Sequence, residues 1–87
     1  MRRKITRTKR FRRQYLNLPR AIREKADKQL RFLGQDLRYP SLRAKKFKGE
    51  EDTLEARVNR FYRMTFLLDD NEIFLLTVGP HDKALKR

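Results

Sequence analysis

The sequence has no cysteine and no tryptophan, and it contains only three glycines, three prolines and one histidine. The absence of cysteine excludes a disulfide framework and any thiolate metal site, and a single histidine argues against a zinc site. The longest apolar stretch, Ile73 to Val78, is too short to span a bilayer. No apolar segment follows the charged N-terminus, so no signal peptide is expected. The lack of cysteine also suits a reducing cytoplasm, which we predict as the location.

Acidic residues are few as well. The chain has 24 Lys and Arg against 11 Asp and Glu, which gives a formal net charge of +13. A protein with this excess of positive charge attracts polyanions, so nucleic acid, an acidic protein or an anionic surface are the natural partners. The length of 87 residues predicts one domain over residues 1–87. So small a domain cannot enclose a large active site, and any chemistry should lie on a surface or in a shallow groove.

The apolar pattern predicts two helices after a short first strand. Residues 4–8 fit a strand, and residues 9–17 fit a helix. Pro19 suits the first turn of a second helix, and Gly34 marks its expected end. The second helix is predicted by an apolar stripe at steps of three and four residues, which consists of Ile22, Ala26, Leu30, Leu33 and Leu37.

After Tyr39-Pro40-Ser41 the apolar period changes to two, which is typical of strands. The predicted strands are 43–47, 54–58, 61–69 and 72–79, and residues 81–87 form a basic tail. The last two strands flank a hairpin turn at Asp70-Asn71 and are apolar on nearly both faces, so we expect them to be central and covered. The order β-α-α-β-β-β-β predicts an α+β fold in which two N-terminal helices pack on one face of a small, mostly antiparallel sheet.

Two strand arginines and the histidine are the candidate site. Glu55 shares a strand face with Arg57. A three-residue loop at Asn59–Phe61 would pair Arg57 directly with Arg63, whereas a two-residue loop would put the two on opposite faces, and the sequence leaves both open. Adjacent guanidinium groups repel each other, so the pairing requires a bound anion or a bridging Glu55. Ordinary exposed strand arginines are the alternative interpretation.

His81 follows the last predicted strand, where functional residues often collect. Histidine is the side-chain type that changes charge near neutral pH, although a lone histidine is more often merely exposed. The acidic groups at Glu50-Glu51-Asp52 and Asp69-Asp70 fit a solvated loop and a turn. We therefore predict no metal site and no cofactor.

Three segments, PSLRAKKFKG (40–49), LEARVNRFYRMTF (54–66) and LLTVGPHD (75–82), resemble the RelE/ParE superfamily of bacterial toxins from type II toxin–antitoxin systems. The N-terminal FRRQYLNLPRAIREKADKQL (11–30) fits the two-helix hairpin of that superfamily. The resemblance covers nearly the whole chain in order, and it implies a RelE-like fold. Its most specific parts are the Leu-Arg-x-Lys-x-x-x-Gly strand, the Glu-Ala-Arg-Val strand, the Tyr-Arg pair and Val-Gly-x-His-Asp.

The resemblance implies a metal-independent endoribonuclease that cuts mRNA in the ribosomal A site by attack of a 2′-hydroxyl on the adjacent phosphate. Arg57 and Arg63 match the phosphate-binding arginines of the family, and His81 matches the residue that protonates the leaving oxygen. Glu55 or a lysine would assist the base step. The residues expected to bind RNA lie in the basic strand and are Arg43, Lys45, Lys46 and Lys48.

The implied partners are mRNA, the 70S ribosome and an acidic antitoxin, with no membrane partner. Promoter DNA would be bound only through the antitoxin complex. The superfamily also contains toxins that inhibit gyrase, and the histidine after Val-Gly favours the ribonuclease branch over that alternative. A non-catalytic nucleic-acid-binding module is the third possibility, since the charge alone would bind a polyanion.

Overall fold

Five strands form one sheet in the computed structural model, which describes residues 3–48 and 52–81. The strand order is β1-β5-β4-β3-β2; β1 runs parallel to β5, and the other neighbours are antiparallel. The predicted α+β class and element order are confirmed. Two segments with sequence-based predictions lie outside the described residues: the loop residues 49–51 and the basic tail 82–87. The elements are β1 (Lys4–Arg7), α1 (Lys9–Leu16), α2 (Arg20–Gln35), a 3-10 turn (Pro40–Leu42), β2 (Lys45–Lys46), β3 (Thr53–Arg57), β4 (Tyr62–Leu68) and β5 (Glu72–Pro80).

The two helices begin where the sequence predicts. Thr8 caps α1, because its hydroxyl accepts a hydrogen bond from the Phe11 amide at 3.2 Å. Pro19 directly precedes α2, where its missing amide hydrogen is not needed. Both helices bury their apolar stripe, so the side chains fully or almost fully buried are Phe11, Ala26, Leu30 and Leu33. Among the described residues, no helix is long and apolar enough to cross a membrane.

Gly34 does not end the second helix, which corrects the prediction. The helix continues to Gln35, and the Asp36 amide still donates to the Phe32 carbonyl at 2.9 Å. The glycine instead lets β1 come close, because the Arg3 amide donates to the Gly34 carbonyl at 3.0 Å. A Cβ at this position would lie 3.2 Å from Ile5 Cδ1. The residue is therefore a point of close approach between strand and helix.

The strand predicted over 43–47 is reduced to Lys45–Lys46. Pro40 starts a 3-10 turn, and Arg43 then adopts a left-handed conformation with φ 46°. Left-handed backbone is unfavourable for a residue with a Cβ, by about 1–2 kcal/mol. Because of the turn and the conformation of Arg43, the first residues of the predicted strand are not extended. The short β2 therefore pairs with only part of β3.

The sheet has one face against the helices and one face away from them. The central position of β4 and β5 is confirmed, but the expected covering of both faces is not, because Leu67, on the side away from the helices, is 37% exposed. We call the side away from the helices the open face. By register it consists of Lys4, Thr6, Lys45, Thr53, Glu55, Arg57, Arg63, Thr65, Leu67, Glu72, Phe74, Thr77 and Gly79.

Candidate functional site

The β3–β4 hairpin brings two arginines side by side on the open face. Arg57 lies directly opposite Arg63, and the Val58 amide donates to the Tyr62 carbonyl at 2.9 Å. Asn59 closes the loop, since its side-chain oxygen accepts from the amides of Phe61 and Tyr62, each at 2.9 Å. The three-residue loop is thus confirmed, and the two-residue alternative is wrong.

The Arg63 guanidinium is held by the hairpin loop. Its Nη1 donates to the carbonyl oxygens of Asn59, Arg60 and Tyr62 at 2.7, 3.1 and 3.1 Å. A guanidinium carries five N–H groups in a planar fork, and these three bonds use a single nitrogen. The other nitrogens make no hydrogen bond within residues 3–48 and 52–81. The loop therefore orients Arg63 and keeps donors for an anion.

Arg57 lies in an unfavourable electrostatic environment. It is half-buried, and its Nε is buried without a hydrogen-bond partner in the described part of the chain. Burial, and then the charges of Arg43 and Arg63, hold the pKa of Arg57 below its usual range. Arginine nevertheless stays charged in proteins. A bound anion would supply both the missing counter-charge and an acceptor for Nε.

Glu55 does not bridge the two arginines, which corrects one of the sequence-based alternatives. Its Oε2 lies 3.5 Å from Lys45 Nζ, and its partner across the strands is Thr65. The side chain is 6% exposed, and Oε1 has no hydrogen-bond partner among the described residues. Thr65 in turn hydrogen-bonds to the Thr77 hydroxyl at 2.5 Å. On the open face, the cross-strand row that contains Glu55 therefore pairs a carboxylate with Lys45. The neighbouring row, Arg57 opposite Arg63, has two positive charges.

His81 joins the same end of the sheet through its backbone. It is exposed and follows β5 directly, and its amide donates to the Phe61 carbonyl at 2.8 Å. The hairpin loop that holds the Arg63 side chain therefore also holds the backbone of His81. The pairing of Arg63 with Gly79, two residues before His81, places the histidine next to the arginine row.

The four residues expected to bind RNA do not share one surface. Lys45 lies on the open face, but Lys46 is in register with Leu54 and so projects to the opposite side of the strand. Lys48 is exposed in the turn after β2. Arg43 lies beside Arg57 in a groove at the sheet edge. The structure thus brings Arg43 and Lys45 close to the arginine pair, and Lys46 away from it.

The groove itself was not predicted. It has a volume of about 680 Å³ and lies between α2, the 3-10 turn and the β3–β4 loop, beyond the end of the short β2. A signal for it existed in the sequence, because Lys25, Lys28 and Phe32 share one helix face by their spacing. We call it the cationic groove, and its basic lining residues are Lys25, Lys28, Arg43, Arg57 and Arg60.

A buried glutamine ties the walls of the cationic groove together. Gln29 is 5% exposed, and its Nε2 donates to the carbonyl oxygens of Ser41 and Arg57 at 3.0 and 2.8 Å. Its Oε1 accepts from the Ser41 hydroxyl at 3.2 Å. One side chain of α2 thereby fixes both the 3-10 turn and the end of β3. Within residues 3–48 and 52–81, no cluster of three or more metal-ligating side chains is found.

Solved structures with the same fold are RelE-like toxins. The RelE–RelB complex from Pyrococcus horikoshii OT3 matches with a TM-score of 0.76 and 20% identity over 97% of this chain and 100% of that chain. The RelBE2 toxin–antitoxin complex from Mycobacterium tuberculosis matches with a TM-score of 0.70 and 26% identity over 93% and 100%. The Escherichia coli DinJ–YafQ complex matches with a TM-score of 0.76 and 14% identity over 94% and 96%.

No family model and no curated protein matches the sequence. The similarity to RelE-like toxins is therefore found in the fold and in short sequence motifs. The resemblance to RelE-like toxins found in the sequence is confirmed by the shared fold, which extends over nearly the whole chain and nearly the whole of each toxin.

Proposed function

We propose that this protein is the toxin of a type II toxin–antitoxin pair and an endoribonuclease that cuts mRNA in the ribosomal A site. One observation carries the proposal: Arg57 and Arg63 lie directly opposite each other, without a bridging carboxylate among the described residues, beside the strand end that carries His81. Like charges in adjacent positions are unfavourable unless an anion binds between them. A phosphodiester is the anion that RelE-like toxins on this fold would bind.

Cleavage needs no group beyond the RNA and the protein side chains. The substrate 2′-oxygen loses its proton and attacks the adjacent phosphorus, and the bond to the 5′-oxygen breaks. The products carry a 2′,3′-cyclic phosphate and a 5′-hydroxyl. Arg57 and Arg63 stabilise the charge that develops on the non-bridging oxygens, because planar guanidinium forks bind phosphate oxygens in pairs. The loop carbonyls that hold Arg63 reduce the reorganisation needed in the transition state.

His81 donates the proton to the departing 5′-oxygen in this mechanism. Its exposed position at the end of β5 supports this role, because a general acid must reach the substrate. We assign the base step to Glu55, the open-face carboxylate closest in register to Arg57 and Arg63. The support is that its Oε1 has no hydrogen-bond partner among the described residues and that it lies in the row of the open face next to the arginines. The side chain must turn for this buried oxygen to reach the 2′-hydroxyl. Lys45, at 3.5 Å, orients the other oxygen of that carboxylate.

The partners follow from charge. A net charge of +13 favours binding to ribosomal and messenger RNA, and it favours an acidic antitoxin that covers this surface. Two of the similar structures are toxin–antitoxin complexes and a third is a RelE–RelB complex, which supports an antitoxin partner. Promoter DNA would be bound through the antitoxin.

Primer extension on a reporter mRNA in a translating extract tests the proposal. The wild-type protein should produce ribosome-dependent cuts inside codons. His81→Ala should lower the cleavage rate by about 10²- to 10⁴-fold, the usual contribution of a general acid. Arg63→Ala should lower it by about 10²- to 10³-fold, the usual effect of removing one donor to the developing charge. The matched control is Arg12→Ala, which removes an exposed arginine of α1 and should cut like the wild type. Thermal unfolding must show that all variants are folded.

Two results would contradict the proposal. Equal cutting by the wild type and His81→Ala would remove His81 from the mechanism. No cutting by the wild type, together with DNA-damage signalling on expression in cells, would assign the protein to the gyrase-inhibiting toxins instead.

A further inference from the structure

The cationic groove gathers positive charge from three separate segments. Lys25 and Lys28 come from α2, Arg43 follows the 3-10 turn, and Arg57 and Arg60 come from the β3–β4 hairpin. In the described part of the chain, no acidic side chain lines the groove. Cations that converge on a concave surface create a strong positive potential, which attracts a polyanion.

An aromatic pair lines the same groove. The rings of Phe32 and Tyr39 stack with their centroids 3.9 Å apart and their planes 8° from parallel. Lys28 Nζ lies 6.0 Å from the centre of the Phe32 ring. Tyr39 is 40% exposed although Phe32 stacks on one face of its ring, so part of the side chain remains accessible. An accessible aromatic ring next to cations is the arrangement that binds unpaired bases.

The groove is continuous with the proposed cleavage site. Arg57 belongs to the open face through its pairing with Arg63, and it also lines the groove beside Arg43. The backbone at this point is fixed, because Gln29 donates to the Arg57 carbonyl at 2.8 Å. An RNA strand bound at the arginine pair therefore contacts, in Arg57, a residue that also lines the groove.

We infer that the cationic groove binds the part of a single-stranded RNA substrate next to the cleaved bond, with one base stacked on Tyr39 and phosphates on Lys28 and Arg60. The inference rests on the proposed function, since Arg57 serves both places. An acidic protein would satisfy the same charges without requiring the exposed tyrosine ring. A nucleobase would stack on that ring, and every base has a face that can stack.

Binding of an uncleavable RNA measures the groove separately from catalysis. The probe is a short, fluorescein-labelled single-stranded RNA in which every 2′-hydroxyl is methylated, and the readout is fluorescence anisotropy at several salt concentrations. Tyr39→Leu should weaken binding at least about fivefold, the smallest effect typical of one stacked base. Tyr39→Phe keeps the ring and should bind like the wild type.

A lysine pair provides the control for charge. Lys28→Gln should weaken binding and reduce the salt slope by about 0.7, the value for one phosphate contact on a single strand. Lys9→Gln removes an exposed lysine of α1, outside the groove, and should leave the slope unchanged. Equal effects of the two lysine variants would mean that only total charge matters, and would overturn the inference.

Further outcomes separate this inference from the proposed function. If no mRNA is cut but Tyr39→Leu still weakens RNA binding, the groove is supported as an RNA site while the nuclease assignment fails. If cutting occurs but Tyr39→Leu binds RNA like the wild type, the groove inference fails alone. If Tyr39→Leu weakens binding of poly-glutamate and not of RNA, the groove binds an acidic protein and the inference is wrong.

Discussion

The two faces of the sheet differ in how they satisfy their side chains. The face against the helices is apolar and dry, with Ala56, Met64 and Phe66 each at 0% exposure. The open face also buries polar groups, but it leaves Glu55 Oε1 and Arg57 Nε without partners among the described residues. A buried polar atom without a partner is unfavourable, and so are adjacent like charges. One face thus stabilises the fold, and the other retains unfavourable features that a ligand can relieve.

The largest effect on stability is expected on β4, where two neighbouring residues point to opposite faces. Phe66→Ala should lower the free energy of unfolding by about 3–5 kcal/mol, because it leaves a cavity in a fully packed core. Leu67, the next residue, is 37% exposed, so Leu67→Ala should lower it by less than about 1.5 kcal/mol. Urea unfolding of both variants measures the difference. Similar losses at both positions would break the distinction between the faces.

The sequence predicts the helix-covered face well because burial imposes a regular period. The stripe from Ile22 to Leu33 and the alternation from Leu54 to Val58 report which side chains face the core. The candidate residues Arg57, Arg63 and His81 were found by composition and resemblance. The pairing register of Arg57 and Arg63 could not be predicted, because it depends on a loop length that no periodic pattern encodes. The Asn59 side chain decides it by accepting two amides of the loop.

The predictions that were wrong or missing have structural causes. A glycine at position 34 predicts a helix end. In the structure, its lack of a Cβ instead leaves room for β1, which is a contact between segments distant in sequence. The late start of β2 follows from the left-handed conformation of Arg43, which an alternating pattern does not reveal. The cationic groove depends on the stacking of Phe32 on Tyr39 across a turn. Contacts of this kind arise from tertiary structure, so local sequence patterns do not reveal them.

A smaller effect is expected between the helices that cover the apolar face. The Tyr15 hydroxyl donates to Asp27 Oδ1 at 2.6 Å and links α1 to α2. This hydrogen bond, burial and the charge of Asp27 raise the pKa of Tyr15 above its ordinary 10.0. Tyr15→Phe should lower the free energy of unfolding at neutral pH by about 1.5–3 kcal/mol, the range for a hydrogen bond to a charged group.

The effect of Tyr15→Phe should depend on pH in one direction. Because the folded pKa is raised, the contribution of Tyr15 is complete below pH 10.0 and is lost as the pH rises through the folded value. The difference between the wild type and Tyr15→Phe should therefore narrow above pH 10.0. Urea titrations across the alkaline range measure it, with the exposed Tyr39→Phe as control. A difference that stays constant would show that the hydroxyl acts only through packing.

The smallest effect on stability, and the sharpest contrast with Phe66, is expected at Arg57. Arg57→Met keeps an unbranched apolar stem and removes a charge that lies beside Arg43 and Arg63, as well as the unpartnered Nε. Cleavage and RNA binding should fall, while the unfolding temperature should equal or exceed that of the wild type. Salt screens repulsion between charges, so any gain should be larger at low ionic strength.

Arg12→Met is the matched control, because it removes an exposed arginine of α1, which lies outside the sheet. It should leave cleavage unchanged, and its stability should depend on salt less than that of Arg57→Met. A clear loss of stability in Arg57→Met would mean that the fold itself requires this guanidinium. Unchanged or higher stability together with lost cleavage would instead show that the open face keeps an unfavourable charge because the substrate phosphate stabilises it.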